Sequence, residues 1–198
     1  MNVLRGISPV LTTMILVGAV LVIGVSFMSY VVILSNSQRV EAYIRSLVAD
    51  KALNTVMYLE RVVDYGDKVS LYVGMVNILN ESTTYYITTF KTDYYGLQAK
   101  VYRSLTTSVS YFNGSKFTNL SPTPVDSGKV YIVSLSGDYV PLSIGTVNIY
   151  GYMYRHTGLI NITLSKSSLG TDDYVVIMLL VGVGDEYYEL LQLSVKVV

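Results

Sequence analysis

The chain has 198 residues and carries 14 Lys plus Arg against 14 Asp plus Glu, so its net charge is zero. Charges this sparse, with no basic cluster, give no face for a nucleic-acid backbone. The absence of Cys excludes a disulfide framework, a thiolate metal site and a Cys nucleophile. The length suits one anchoring helix and one globular domain, held by packing or by contacts with neighbours.

Arg5 is the only charge before a run of 28 residues, Ile7 to Leu34, that contains no Asp, Glu, Lys or Arg. A stretch this apolar predicts a membrane-spanning helix, because lipid leaves backbone polar groups no partner outside their own helix. Ser8 is a natural N-cap and Pro9 fits the first helical position, where its missing N–H costs nothing. From Pro9 to Leu34 such a helix measures about 39 Å, against a hydrocarbon core of roughly 30 Å. The apolar core of a removable secretory signal is only about half this length. Arg5 on one side, against Arg39 and Arg45 on the other, gives a thin positive-inside margin for a cytoplasmic N-terminus.

Beyond Leu34 the chain turns amphipathic. Val40, Tyr43, Ile44, Leu47 and Val48 follow helical spacing, among Gln38, Arg39, Glu41, Arg45 and Ser46. With Leu53, Val56 and Met57, the pattern predicts a helix running to about Val63 and stopped by Gly66. The expected organisation is a leader at 1–6, an N-terminal helix at 7–65 (apolar over 7–34, amphipathic over 35–65) and a head domain at 66–198.

From Lys68 the period changes to two. Predicted strands are Lys68–Leu79, Thr84–Lys91, Leu97–Arg103, Thr107–Phe112, Lys129–Leu135, Thr146–Tyr154, Leu159–Ser165, Tyr174–Val183 and Tyr187–Val197. Between them lie turn sequences such as Asn113-Gly114-Ser115, Ser136-Gly137-Asp138 and Gly184-Asp185-Glu186. Leu120 to Gly128, with Pro122 and Pro124, reads as the longest loop. The run Val175 to Val181 is apolar on both faces, so it should be a central strand covered on both sides. The fold class is α+β: a long N-terminal hydrophobic helix followed by an antiparallel, immunoglobulin-like β-sandwich without the disulfide or Trp hallmarks. The 19 Tyr suit either strand propensity or half-exposed contact faces.

Four Asn-x-Ser/Thr triplets, at Asn80, Asn113, Asn119 and Asn161, are candidate N-glycosylation sites. Asn80 at a strand end, Asn113 in a turn and Asn161 on the polar face of a strand are expected to be exposed. Asn119 is the weakest, because Pro122 follows its Ser121. His156 stands without the partners that a triad or a zinc site needs, and reads as a turn residue. Asp172-Asp173 and Asp185-Glu186 supply too few oxygens for Ca²⁺ and read as solvated turn acids. With no Gly-x-Ser-x-Gly and no phosphate-binding loop, the chain is expected to be no enzyme and to hold no cofactor or metal.

The opening MNVLRG followed by ISPVLTTMILVGAVLVIG resembles the class III signal peptide of archaeal type IV pilins, a family related to archaellins. The likeness spans about 30 residues, and Leu11 stands where bacterial pilins usually carry Glu. In that family a membrane peptidase cuts after the Gly, here between Gly6 and Ile7, and the apolar helix stays in the mature subunit. The resemblance implies a filament subunit on the cell surface, inserted in the membrane before assembly. Its partners would be copies of itself, the leader peptidase, and an assembly ATPase with its membrane platform. The alternative is a monomeric, membrane-anchored surface module that binds a ligand through its β-domain. If Gly6 is the processing site, Gly6→Val cells should accumulate chain with the intact mass of residues 1–198 and assemble no fibres. Normal fibres from that variant would move the cut elsewhere.

Overall fold

The structure is a computed structural model and describes residues 9–79, 82–92, 102–134, 136–154, 157–171 and 173–197. The chain divides into two compact units, Met1–Ser46 and Leu47–Val198. The expected processing junction Gly6-Ile7, the expected cap Ser8, Asn80 and His156 lie outside the described residues.

Helix α1 runs unbroken over Pro9–Leu53, 45 residues and thus about 68 Å long. Within the first unit, sixteen large apolar side chains between Met14 and Leu34 are 45–72% exposed. Left in water, each would forgo about 1.5–3 kcal/mol of burial, on the order of tens of kcal/mol together. The helix continues past Ser46 into the second unit, where Val48 is fully buried and Lys51 Nζ donates to Thr83 Oγ1 at 3.3 Å.

The helix does not reach residue 65, and the head begins at Leu47 rather than residue 66. Asn54 ends it, donating from both its backbone N (3.2 Å) and its Nδ2 (2.8 Å) to the carbonyl of Asp50. The next stretch, Thr55–Asp64, is a strand. Its apolar residues fit helical spacing as well as alternation, but Thr55, Val56, Val62 and Val63 are β-branched and prefer the pleat. Gly66, expected as a helix stop, is instead the left-handed corner (φ 87°) of a hairpin, with its N–H donated to Asp64 Oδ1 at 2.8 Å.

The strands in chain order are β1 Thr55–Asp64, β2 Lys68–Asn77, β3 Thr83–Thr92, β4 Arg103–Ser104, β5 Thr107–Phe112, β6 Phe117–Asn119, β7 Pro122–Asp126, β8 Val130–Val133, β9 Tyr139–Pro141, β10 Thr146–Tyr154, β11 Thr157–Ser165, β12 Tyr174–Val183 and β13 Glu186–Lys196. They form two sheets, so the α+β sandwich stands. The first sheet has the order β1-β2-β11-β5-β6; the second has β7-β10-β3-β12-β13-β8-β9, with β4 beside β3. Among the described residues all pairings are antiparallel except β13 with β8.

The strand expected over Leu97–Arg103 falls largely outside the described residues; of the described ones, Arg103–Ser104 pairs with β3. Two strand expectations need correction. The expected Leu120–Gly128 loop contains strand β7 on the edge beside β10. Pro122 and Pro124 are two residues apart, so both missing amides fall on the same side of the strand, as an edge allows. The segment expected over Lys129–Leu135 shortens to β8 and joins the sheet in parallel.

Strand β12 is central, as its composition predicts: Val175 to Val181 are all 5% exposed or less. Its odd-numbered face lies in register with β3, Leu179 opposite Ile87 and Val181 opposite Tyr85. Tyr85 and its neighbours turn toward the first sheet. Tyr85 OH pairs with Thr55 Oγ1 of β1 (2.8 Å), Tyr150 OH donates to the Thr107 carbonyl of β5 (2.7 Å), and Tyr152 packs on Tyr111 with centroids 4.8 Å apart. The even-numbered face has a different cover. Only the short turn Ser127–Lys129 separates β7 from β8 in the chain, yet five strand spacings, about 24 Å, separate them along a flat sheet. Four Cα steps span at most about 15 Å, so the second sheet must roll up. Val176, Met178 and Leu180 lie inside this roll with Phe90, Val130, Leu142, Val147 and Ile149. Met178→Ala should therefore remove about 2–5 kcal/mol from the β-domain, read as a lower urea midpoint at unchanged slope. Met28→Ala, on the exposed helix, should leave that midpoint where it is.

Candidate functional site

Among the described residues no group of three or more His, Cys, Asp or Glu could hold a metal. Of the acids that sequence singled out, Asp172 lies outside the described residues and Asp173 is not the solvated turn acid expected. Asp173 lies at the start of β12, nearly buried. It accepts the N–H of Gly170 at 2.7 Å and faces Lys91 Nζ at 3.3 Å, while that Nζ also donates to the Ser168 carbonyl at 2.6 Å. The Gly170 amide first, then Lys91 and Arg103, hold its carboxyl below the usual value. Asp64 is lowered in the same way by Lys166 and by the Gly66 amide. Among tyrosines, burial and the charge of Glu189 push Tyr102 up to about 12, and burial with the Glu186 hydrogen bond raises Tyr188. These phenols stay protonated over the physiological range.

The outward face of the first sheet concentrates ring surface. Cross-strand register places Tyr58 opposite Gly74, Gly74 opposite Leu159 and Phe112 opposite Phe117. Leu159 precedes Ile160, which pairs with Tyr111, so Leu159 meets Phe112. The result is one row across all five strands: Tyr58, Gly74, Leu159, Phe112 and Phe117. Tyr58, Phe112 and Phe117 are 43%, 38% and 37% exposed. The row beside it is polar at most positions: Arg61, Tyr72, Asn161, Ser110 and Asn119.

Two shallow depressions open on this face. One, ≈510 Å³, is lined by Tyr58, Glu60, Gly74, Phe112, Thr157 and Leu159 among others. The second, ≈360 Å³, is lined by Glu60, Arg61, Val63, Tyr65, Tyr72 and Leu159. Glu60 and Leu159 border both. Glu60 is the extra residue of the bulge between Leu59 and Arg61, which lets successive residues Glu60 and Arg61 reach the same side. Gly74 has no side chain for a physical reason: a Cβ there would stand 2.3 Å from the Tyr58 ring. Tyr72 shares a hydrogen bond with Tyr65, the chief cause of its raised phenol.

Two of the sequence-predicted acceptors meet on this face. Asn161 and Asn119 both pair with Ser110, one on either side. Asn119 is exposed, and Asn113 is exposed in the β5–β6 turn, where its Oδ1 accepts the N–H groups of Ser115 and Lys116, each at 3.0 Å. Asn161 departs from expectation. Its strand alternation does point it outward, but it is only half-exposed, and its Oδ1 is buried without a hydrogen-bond partner. Tyr72 and Phe117 stand three strand spacings apart, about 14 Å, yet their ring centroids are 5.8 Å apart. The two rings lean toward each other over β11 and β5 and cover Asn161 and Ser110. Thr163, the hydroxyl of that triplet, is held by Ser70 Oγ at 3.0 Å. Period-two alternation could show which face Asn161 is on; it carried no sign of the rings that close over it.

No family model matches the chain, and no curated protein matches it. Among solved structures it is similar to AvmM, which catalyses macrocyclization in alchivemycin A biosynthesis, at 10% identity and a TM-score of 0.38, covering 73% of this chain and 88% of that one. A cohesin module from a Clostridium perfringens family 33 glycoside hydrolase aligns at 16% identity and 0.33, covering 72% and 94%. The archaellum periplasmic stator protein FlaG from Sulfolobus acidocaldarius aligns at 10% and 0.21, covering 70% and 99%. TM-scores this low carry no argument about activity.

The Asp173 environment makes a pH prediction. Its folded pKa lies below the unfolded value of about 3.9, so its stabilisation is complete above about pH 4 and fades as pH falls through the folded value. Asp173→Asn should lower the urea midpoint at pH 7 and shrink the drop in midpoint between pH 5 and pH 3, followed by circular dichroism.

Proposed function

We propose that the chain is the structural subunit of a pilus-like surface filament of the archaeal type IV kind, with a role in adhesion and no catalytic activity. One observation carries this reading: a charge-free helix whose side chains over 12–34 are exposed on all sides continues unbroken to Leu53, where the β-strands begin. Such a surface needs a cover, and both lipid and a bundle of identical helices provide one. Lipid and a helix bundle are similarly apolar, so a subunit moves from one to the other at small cost, and close packing decides for the bundle. Gly18, Ala19, Gly24, Ser26 and Ser29 offer small surfaces for that approach.

In this reading Gly6-Ile7 is the cleavage junction, the partners are further copies of the chain, and the membrane holds the subunit before assembly. A leader peptidase and an assembly ATPase with its platform complete the system. Asn80, Asn113, Asn119 and Asn161 remain acceptor candidates for glycan, with Asn113 and Asn119 favoured by exposure. The aromatic face of the first sheet favours a second reading, a membrane-anchored monomeric binding module.

Electron microscopy of material sheared from producing cells, with intact-mass measurement of its subunit, separates the two. Thin fibres built from a chain that starts at Ile7 are expected. Chain confined to membranes, starting at Met1 and without fibres, would overturn the filament reading in favour of the anchored module.

A further inference from the structure

We infer that the end of the β-domain that carries Leu53 is a docking collar for the charge-free helix of a second copy of the chain. The inference rests on the filament reading above for its setting and names the surface on which the copies meet.

Backbone pairing gathers this end. Asn54, directly after the helix, accepts the Ile78 N–H on its carbonyl at 2.8 Å, and Thr55 at the start of β1 stands opposite Asn77 at the end of β2. Lys51 Nζ reaches Thr83 at the start of β3, and Thr83 pairs with Tyr154 at the end of β10. Five aliphatic side chains at this end lie in the open: Leu53 is 81% exposed, Met153 68%, Ile78 58%, Leu79 48% and Val56 46%. They are the five most exposed large aliphatic side chains described between Leu47 and Val198, and all belong to that one compact unit. The same unit buries its aliphatic residues elsewhere, as along β12, so a group of them left at one end is a surface that lacks its cover. The helix charges beside Leu53 are engaged within the domain: Lys51 with Thr83, and Asp50 Oδ1 with Asn54 Nδ2 at 3.3 Å.

Lipid is not that cover. From Leu34, the last residue of the charge-free run, to Leu53 the helix rises about 28 Å, and Arg39, Glu41, Arg45, Asp50 and Lys51 lie along that stretch. Charges this frequent belong in water, so a helix inserted up to Leu34 leaves the collar well clear of the hydrocarbon. A second copy supplies the matching surface. When helices bundle, each one at the rim keeps a side turned outward, and in a fibre of this chain only a β-domain is left to cover it. The chain's own β-domain does not: the side chains over 12–34 are exposed. A β-domain of another copy, displaced along the bundle, must do so. The aromatic row of the first sheet suits that task poorly, because it is less exposed and is bordered by Glu60 and Arg61, which a charge-free helix would leave unpaired. The collar's five aliphatic side chains bury no ion against it.

The test places a photoreactive side chain on the collar of the full chain in producing cells, as Met153→benzoylphenylalanine and, separately, Ile78→benzoylphenylalanine. On irradiation this group inserts into whatever C–H lies against it. Each variant should give a species of twice the subunit mass in denaturing gels. Its adduct should lie on the peptide that ends at Arg39, which trypsin leaves whole because the run from Gly6 to Gln38 holds no Lys or Arg. Val140→benzoylphenylalanine, on β9, sets the background. A doubled species joined to another copy's β-domain, adducts to lipid alone, or no adduct above background would each overturn the inference. Leu53→Gln combined with Ile78→Thr and Met153→Gln gives a second readout. The urea midpoint should hold, since these side chains are exposed, while fibre yield falls about tenfold or more; unchanged yield would overturn the collar. The two proposals fail separately: fibres without a helix adduct refute the collar and leave the filament, and a helix adduct in membranes without fibres does the reverse.

Discussion

Strand β12 has no polar face. Seven consecutive residues, Val175 to Val181, are apolar and buried, so one cover is not enough: a single packed sheet would hide the odd-numbered side chains and leave Val176, Met178 and Leu180 in water. The rest of the head follows from meeting that demand twice. The first sheet covers one face through the aliphatic side chains of β2 and β11, and Tyr85, Tyr150 and Tyr152 of the second sheet reach across to it. The second sheet covers the other by rolling on itself, and the short turn between β7 and β8 holds the roll closed. Without disulfides, two cores of interlocked side chains are what hold the domain together.

The helix poses the opposite problem. Among the described residues, its large side chains from Met14 to Leu34 are exposed all around it rather than along one stripe. An all-round apolar helix is stable where every side meets apolar neighbours, either lipid or the same helix in other copies. The charged pair Glu41–Arg45, at 2.8 Å and one turn apart, lies beyond the charge-free run.

Between these two extremes lies the outward face of the first sheet, neither buried nor simply polar. Tyrosine makes this possible, since its ring covers apolar surface while its hydroxyl stays hydrated. The same residue type bridges the sheets at Tyr85 and Tyr150, stacks across the parallel pair at Tyr131 and Tyr188 with centroids 4.9 Å apart, and roofs Asn161 from Tyr72. Strand propensity and contact-making are both in use, at different positions of the same sheets.

Local order along the chain was enough to identify the charge-free helix, the two-residue period of the head, and β12 as a central strand, because each depends on the spacing of neighbours in sequence. It misplaced the end of the helix. Thr55–Asp64 satisfies both periods, and what decides is the row of partners from Val69 to Asn77 that only hairpin formation supplies. It also left β7 as a loop, since Pro122 and Pro124 are compatible with a strand only at an edge, and being an edge is a property of the sheet. The aromatic row was invisible for the same reason. Tyr58, Gly74, Leu159, Phe112 and Phe117 are scattered over 102 positions, 58 to 159, and only register aligns them. Periodicity fixes which face a side chain occupies; which other side chains share its row is decided by long-range backbone pairing, and that is where the tertiary structure spoke alone.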